Sequence, residues 1–294
     1  MNPTNPINSN NPLRICLLSY RSNPHSGGQG VYIKNLSRAL KDLGHLVEVV
    51  SGPPDPELDH DIRVHRTAGL DLYNPDNPFR LPSLKELSHP LNLAEWLGVS
   101  TMGFPEPLIF GIRAYQYLKN RIHNYDVIHD NQSLSYGVWA IKKMAPTVAT
   151  IHHPITVDRQ IDVRNASAPW VKLKRMRWYS FIGMQKRVAR TLARIITVSE
   201  SARYDISRAF RIPGSRFSIV PNGISTTQFY PIPEIPRQKN RIIVTNSADT
   251  PLKGLYYLLH AIAEVSHTEA IRLVVVGKPK KNSGIEKLIR ELDI

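Results

Sequence analysis

Apolar, β-branched runs and helical patterns alternate along most of the chain. Residues 13–19 (LRICLLS) are mostly apolar and of strand length, which predicts a buried first strand. A glycine-rich turn follows at 26–30 (SGGQG). Tyr32, Leu36, Ala39, Leu40 and Leu43 then recur at helical spacing, and Gly44 ends the helix. Residues 46–51 predict a second strand and 61–65 a third. Residues 67–106 are proline-rich and irregular, so a long excursion with short helices is expected there, of the kind that carries function in compact domains. Beyond it the pattern predicts helices over 107–123, 133–143, 170–192 and 200–210. Strands are predicted over 126–130, 147–151, 194–198 and 216–220. This alternation is that of parallel α/β units.

The pattern breaks at 221–240, which holds four prolines and little periodicity and reads as an interdomain linker. Alternation restarts with strands at 241–245 and 271–276 and helices at 255–265 and 283–292. The organisation expected is a disordered leader over 1–12, a Rossmann-like domain over 13–220, the linker over 221–240 and a second Rossmann-like domain over 241–294. That last segment falls short of the roughly 100 residues of a self-sufficient doubly wound core, so it reads as incomplete.

Composition narrows the class. With 41% apolar and 21% charged residues, the chain is neither disordered, collagen-like nor coiled coil. One cysteine, Cys16, excludes a disulfide framework and a cysteine-rich zinc site. No apolar run approaches the ~18 residues of a membrane span, and the leader is polar and uncharged rather than a signal peptide. The expectation is a soluble, cytoplasmic protein. Charge is the unusual quantity: 38 Lys+Arg against 24 Asp+Glu leave +14 across 294 residues. A field of that sign attracts nucleic acid, anionic lipid head groups or phosphorylated ligands. No nucleic-acid recognition motif is found, so nucleic acid is not an expected partner.

Candidate chemistry sits at the turns. Gly27 and Gly28 fall where the first strand becomes a helix, where backbone can approach a ligand and free N–H groups face an anion. The glycines do not fit G-x-G-x-x-G, and strand two ends in Ser51-Gly52 rather than an acid for a ribose hydroxyl, against a dinucleotide site. His152 follows a strand and is placed at the carboxyl edge of the sheet, where α/β ligands bind; His153 shares or disputes that role. His25, His129, His152 and His153 lack metal-ligand spacing. Asp59-His60-Asp61 spells D-x-D but precedes a strand, so it reads as a solvated loop, and no metal site is expected. Lys253 opens a helix beside its positive end, an unfavourable place unless an anion lies there. Residues 164–199 hold nine Lys/Arg and no acid. Within this stretch Lys172, Lys174, Arg175 and Arg177 interleave with Trp170, Trp178, Tyr179 and Phe181, a pattern suited to an anionic membrane surface or an anionic acceptor.

Six stretches in order carry a resemblance. They are Gly27-Gly28-Gln29-Gly30-Val31-Tyr32; Asp126-Val127-Ile128-His129; Ala149-Thr150-Ile151-His152; Ile196-Thr197-Val198-Ser199-Glu200; Val220-Pro221-Asn222-Gly223-Ile224; and Asp249-Thr250-Pro251-Leu252-Lys253-Gly254-Leu255. Together they resemble the retaining family 4 glycosyltransferases of the two-lobed GT-B fold. The resemblance implies transfer of a sugar from a nucleotide-diphosphate sugar to an acceptor hydroxyl with retention of configuration, in cell-envelope glycolipid or polysaccharide synthesis. No cofactor is implied beyond that co-substrate; the acceptor would be lipid-linked or saccharide, at the inner face of the membrane. Gly27, Gly28, Lys253 and Gly254 would hold the donor diphosphate between two lobes, and His152 would meet the sugar as the catalytic residue. Two departures stand out. Ser247 occupies the position of a second diphosphate clamp, usually Arg, and the family's two donor-binding glutamates would fall beyond residue 294. A truncated, non-catalytic remnant or subunit that keeps only the acceptor and membrane half is the alternative reading.

Overall fold

The computed structural model describes residues 11–74, 77, 80–245, 254–277 and 284–294, and the chain divides into two units, Met1–Gly223 and Ile224–Ile294. Most of the expected leader, residues 1–10, lies outside the described residues. The first unit opens with β1 (Arg14–Ser19), α1 (Gly28–Asp42), β2 (Leu46–Ser51) and β3 (Arg63–Arg66). The excursion follows, with α2 (Leu84–Leu87) and α3 (Pro90–Ser100). Then come α4 (Glu106–Leu118), β4 (Val127–Asn131), α5 (Tyr136–Ile141), β5 (Thr147–Thr150), α6 (Thr156–Arg164), α7 (Pro169–Trp178), α8 (Phe181–Ala189), β6 (Ile195–Thr197), α9 (Glu200–Phe210) and β7 (Phe217–Ile219).

The strands form one sheet in the order β3-β2-β1-β4-β5-β6-β7, and every neighbouring pair is parallel. A parallel sheet needs both faces covered, and β1 shows how its sequence meets that need. Ile15 and Leu17 pack on one face with Ile33 of α1 and with Val47 and Val49. Cys16 and Leu18 pack on the other with Phe110, Ala114 and Leu118 of α4 and Val138 of α5. Strand order reverses between β1 and β4. That switch point splays the adjoining loops apart and leaves a crevice at the carboxyl ends of the strands.

The excursion is more ordered than its composition suggests. Ser83 and Glu86 form a capping box that starts α2, and His89 caps α3 ahead of Pro90. Glu95 on α3 and Arg113 on α4 form a buried ion pair at 2.9 Å, which ties the excursion to the sheet layer. Two other differences have physical causes. The helix expected over 170–192 is two helices: α7 turns Trp178 onto the rings of Tyr73 and Phe104, whereas α8 buries Ile182, Met184, Gln185 and Val188. One straight rod cannot serve both surfaces, and the chain bends at Tyr179 and Ser180. α6 went unpredicted because its sequence, TVDRQIDVR, has too few apolar residues to show a period. Asp59-His60-Asp61 is an ion-pair clasp: Asp59 bonds Arg38 and Lys41 of α1, and Asp61 bonds Lys41.

In the second unit β8 (Arg241–Thr245) pairs in parallel with β9 (Arg272–Val276). α10 (Leu255–Ser266) and α11 (Gly284–Leu292) bury Leu255, Leu259 and Leu288 against Val244 and Leu273.

α4 and α5 approach so closely that each needs a glycine. A Cβ on Gly137 would run into the Gly111 carbonyl, and one on Gly111 would run into the Ser135 side chain. Both neighbours are held by helical structure and cannot yield cheaply. Gly137→Ala is therefore expected to lower stability by about 3 kcal/mol, read as a reduced midpoint in urea unfolding.

Candidate functional site

Three loops meet at the switch point, one each after β1, β4 and β5. The first runs from Tyr20 into α1. Gly27 has φ 142 and ψ 179, a backbone state that side chains rarely adopt, and it precedes α1 with no side-chain cap. Space beside Gly27 and Gly28 is open. Gly30, one turn on, is different: a Cβ there would collide with the Asn23 carbonyl, so the glycine lets the loop fold over the helix. The Gly30 N–H bonds the Gly27 carbonyl at 3.2 Å, while exposed Gly28 opens the positive end of a 15-residue helix, an arrangement suited to an anion.

The loop after β4 is built on a buried carboxylate. Asp130 is fully buried and accepts hydrogen bonds from the Ser133 hydroxyl and, at 2.8 Å, from the Leu134 N–H. Burial raises its pKa to about 6, with the two donors pulling the other way. Gln132 and Leu134 sit at φ 55 and 47, left-handed positions that cost energy for non-glycine residues and recur at functional sites. The Gln132 side chain then acts like a strand neighbour to the loop after β5. Its Oε1 accepts from the His152 N–H at 2.7 Å, and its Nε2 donates to the His153 carbonyl at 3.0 Å. Buried Gln185 on α8 donates to the Gln132 carbonyl at 3.0 Å and supports the loop from below.

His152 is the focus of these contacts. Its Nε2 lies 2.9 Å from Asn131 Oδ1. The Asn131 amide is oriented by donation to the Gln29 carbonyl at 3.4 Å; a carbonyl can only accept, so Oδ1 faces the imidazole. Nε2 therefore carries the proton and donates it, and Nδ1 keeps its lone pair. The ring stands edge-on to Tyr32 at 4.6 Å. The Tyr32 hydroxyl is 2.9 Å from Thr150 Oγ1, which is also 2.7 Å from Nε2 of buried His129. Burial lowers the pKa of His152 to about 4, with the charge of His153 adding to it. His129 is likewise lowered to about 4, by burial and then by His152. Both imidazoles are neutral near pH 7.

His153 has a separate place. It is exposed, and its Nε2 is 3.2 Å from Asp158 on α6, so the two adjacent histidines do not share one position. A second polar assembly borders β1: Arg21 pairs with Glu106 at 2.7 Å and stacks over Tyr73 at 5.1 Å. Burial raises the Glu106 pKa to about 7, against the lowering by Arg21.

The basic stretch is divided rather than continuous. Arg175 pairs with Asp162 at 3.0 Å, and Arg177 donates to Ser180 at 2.9 Å and Thr101 at 3.2 Å. Lys172 borders a cavity with α6 and α8, and Lys174 borders another with Asp162 and Trp170. Trp170 and Leu173 are 67% and 68% exposed. No helix among the described residues is long and apolar enough to cross a membrane. Lys253 and Ser247 lie outside the described residues. Gly254 has φ 71 and stands before α10 with no side-chain cap.

Sequence patterns located Gly27, Gly28 and His152 at the crevice but missed Asn131, Gln132, Thr150 and Gln185. The pair Asn131-Gln132 directly after a buried strand was the available signal, since amides there bond neither sheet nor solvent. Long-range proton–nitrogen NMR of His152 is expected to show one Nε2–H tautomer from about pH 6 to 8. Asn131→Ala is expected to produce a mixture of tautomers.

Residues 26–228 match Glycosyltransferase Family 4. The chain is 47% identical over 284 residues to the MMP alpha-(1->4)-mannosyltransferase of Mycolicibacterium hassiacum, covering 96% of this chain and 68% of that protein. A glycosyltransferase from Rickettsia africae shares the fold at TM-score 0.54 and 15% identity, over 96% of this chain and 66% of that one. Anabaena Alr3699/HepE, solved in complex with UDP-glucose, aligns at TM-score 0.55 and 13% identity, over 96% of this chain and 66% of that one. The chain thus spans about two thirds of the length of these relatives. Its sequence match over most of the first unit and its parallel sheet agree, and the chain belongs to the family 4 glycosyltransferases of the GT-B fold.

Proposed function

We propose that this chain takes part in mannosyl transfer from a nucleotide-diphosphate sugar to an acceptor hydroxyl, with retention of anomeric configuration. The observation that carries the reading is the 47% identity to a mannosyltransferase, sustained over 96% of the chain. On this reading residues 13–220 form the acceptor-side domain, and 241–294 belong to a donor-binding domain joined through 221–240. The acceptor is a saccharide or a lipid-linked sugar of the cell envelope, met on the cytoplasmic side of the membrane, with α7 and its exposed Trp170 and Leu173 facing an anionic surface.

The geometry supports a role for each residue of the first unit. The N–H groups of α1 at Gly27 and Gly28 offer the donor diphosphate partial positive charge without a metal, and they stabilise the negative charge that grows on it as the glycosidic bond breaks. Lys253 and Gly254 are assigned to donor binding in the second unit on their sequence motif alone. His152 presents a neutral ring. With Nε2 committed to Asn131, its Nδ1 makes no hydrogen bond among the described residues and can accept one from a sugar hydroxyl. A cationic imidazole would instead repel the positive charge that develops on the sugar ring at the transition state. Gln132 fixes the backbone at His152, so the ring is held before substrate arrives, which lowers the cost of orientation.

Titration calorimetry of the full chain with UDP, GDP and ADP tests the donor assignment. One of the three is expected to bind, and the absence of binding at about millimolar nucleotide, which corresponds to only ~4 kcal/mol of affinity, sinks it for this chain. Gly28→Glu places a carboxylate in open space at the helix end and is expected to weaken that binding about tenfold. His152→Ala is expected to leave nucleotide affinity unchanged and lower kcat for mannosyl transfer by about 100-fold, measured with radiolabelled nucleotide-mannose.

A further inference from the structure

We propose that the cavity between α6, α7 and α8 is a binding site for a phosphate group carried on a polyol, distinct from the donor diphosphate site at α1. The cavity measures about 510 Å³, and its lining includes Arg159, Arg164, Lys172 and Lys186 and no acidic residue. Four cations on three helices converge on one space. None of them makes an ion pair with a carboxylate among the described residues, although eleven such pairs of other lysines and arginines occur there.

The local sequence segregates charge in a way that creates this imbalance. On α6, Arg159 and Val163 lie one turn apart on the face that lines the cavity. Asp158 and Asp162, also one turn apart, lie on another face, where they bond His153 and Arg175. The carboxylates that could neutralise the cavity are thus turned away and already engaged. Lys186 registers the result. The residue is partly buried, its ammonium lies 5.8 Å from the Phe210 ring, and its pKa is lowered by burial and then by the like charges of Arg190, Arg159 and Arg211. Arg159, Arg164 and Lys172 are exposed and Lys186 is partly buried, so like charges surround an open space whose positive potential an anion would neutralise.

The lining also limits the anion. Two guanidinium groups favour a tetrahedral oxyanion, which they can grip in bidentate fashion, over a single carboxylate. The volume far exceeds that of one phosphate, and Val163 and Met176 give the remaining wall apolar character, suited to the carbon stem that bears it. Phosphate on a polyol could come from a soluble sugar or glycerol phosphate or from the head group of an acidic phospholipid. The site does not depend on the transfer reading above.

Binding of the full chain to inorganic phosphate and glycerol 3-phosphate by calorimetry, and to phosphatidylglycerol or phosphatidylcholine vesicles by co-sedimentation, separates these sources. Saturable binding to glycerol phosphate is expected for a soluble ligand. Binding to phosphatidylglycerol and not phosphatidylcholine vesicles is expected for a lipid head group. In either case Arg159→Gln, Lys172→Gln and Lys186→Gln should each weaken binding by about tenfold, while Arg203→Gln on α9, whose partner is Glu200, should not. Without ligand, the three cavity variants are expected to melt no lower than the parent, since they relieve repulsion, and phosphate should raise the parent's Tm more than theirs. No binding in any arm overturns the proposal. So does binding that survives the cavity variants and falls in Gly28→Glu, which would place the anion at α1.

Discussion

The carboxylate of Asp130 is the constraint on which the crevice depends. A buried acid is expensive unless hydrogen bonds satisfy it, and here the two donors come from the loop it precedes, Ser133 and Leu134. To supply them the chain must double back on itself, which drives Gln132 and Leu134 into left-handed backbone states. That turn projects the Gln132 side chain across to the loop after β5, where it holds the backbone on both sides of the His152 side chain. Strain in one loop is thus exchanged for order in its neighbour. The rigid elements beneath, β4 and β5 in register from Ile128 to Thr150, carry the cost.

A second consequence concerns proton positions. Four groups at the crevice, His129, His152, Asp130 and Glu106, have pKa values displaced by burial, all toward their uncharged forms. Burial of these groups strengthens the electrostatic interactions among them. The N-terminus of α1 lies at the exposed side of the crevice, where Gly27 leaves it without a side-chain cap.

The parallel α/β architecture was legible because it is written in long-range periodicity: strand-length apolar segments such as β1, which packs on both faces, alternate with helical stripes such as that of α1. Gly27, Gly28 and His152 were legible because strand ends are. What escaped depended on pairings distant in sequence. Nothing local announces that Asn131 orients His152, or that Gln185 on α8 reaches back to Gln132. α6 escaped because its stability comes from partners such as Asp162 with Arg175 and Tyr179, not from an apolar face. The basic run read as one stripe because a sequence shows charges without their partners. In space Arg175 and Arg177 are occupied, and Lys172 and Lys174 face different cavities.

Gln132 has a further implication for how this loop can vary. Its amide works as a surrogate peptide group, presenting an acceptor and a donor to consecutive backbone partners beyond the end of β5. A glutamate keeps only the acceptor, a lysine only the donor, and an asparagine has both but falls one methylene short. The alphabet at this site therefore contracts to a single letter, whereas the solvent-facing residues of the crevice can drift around an unmoving frame.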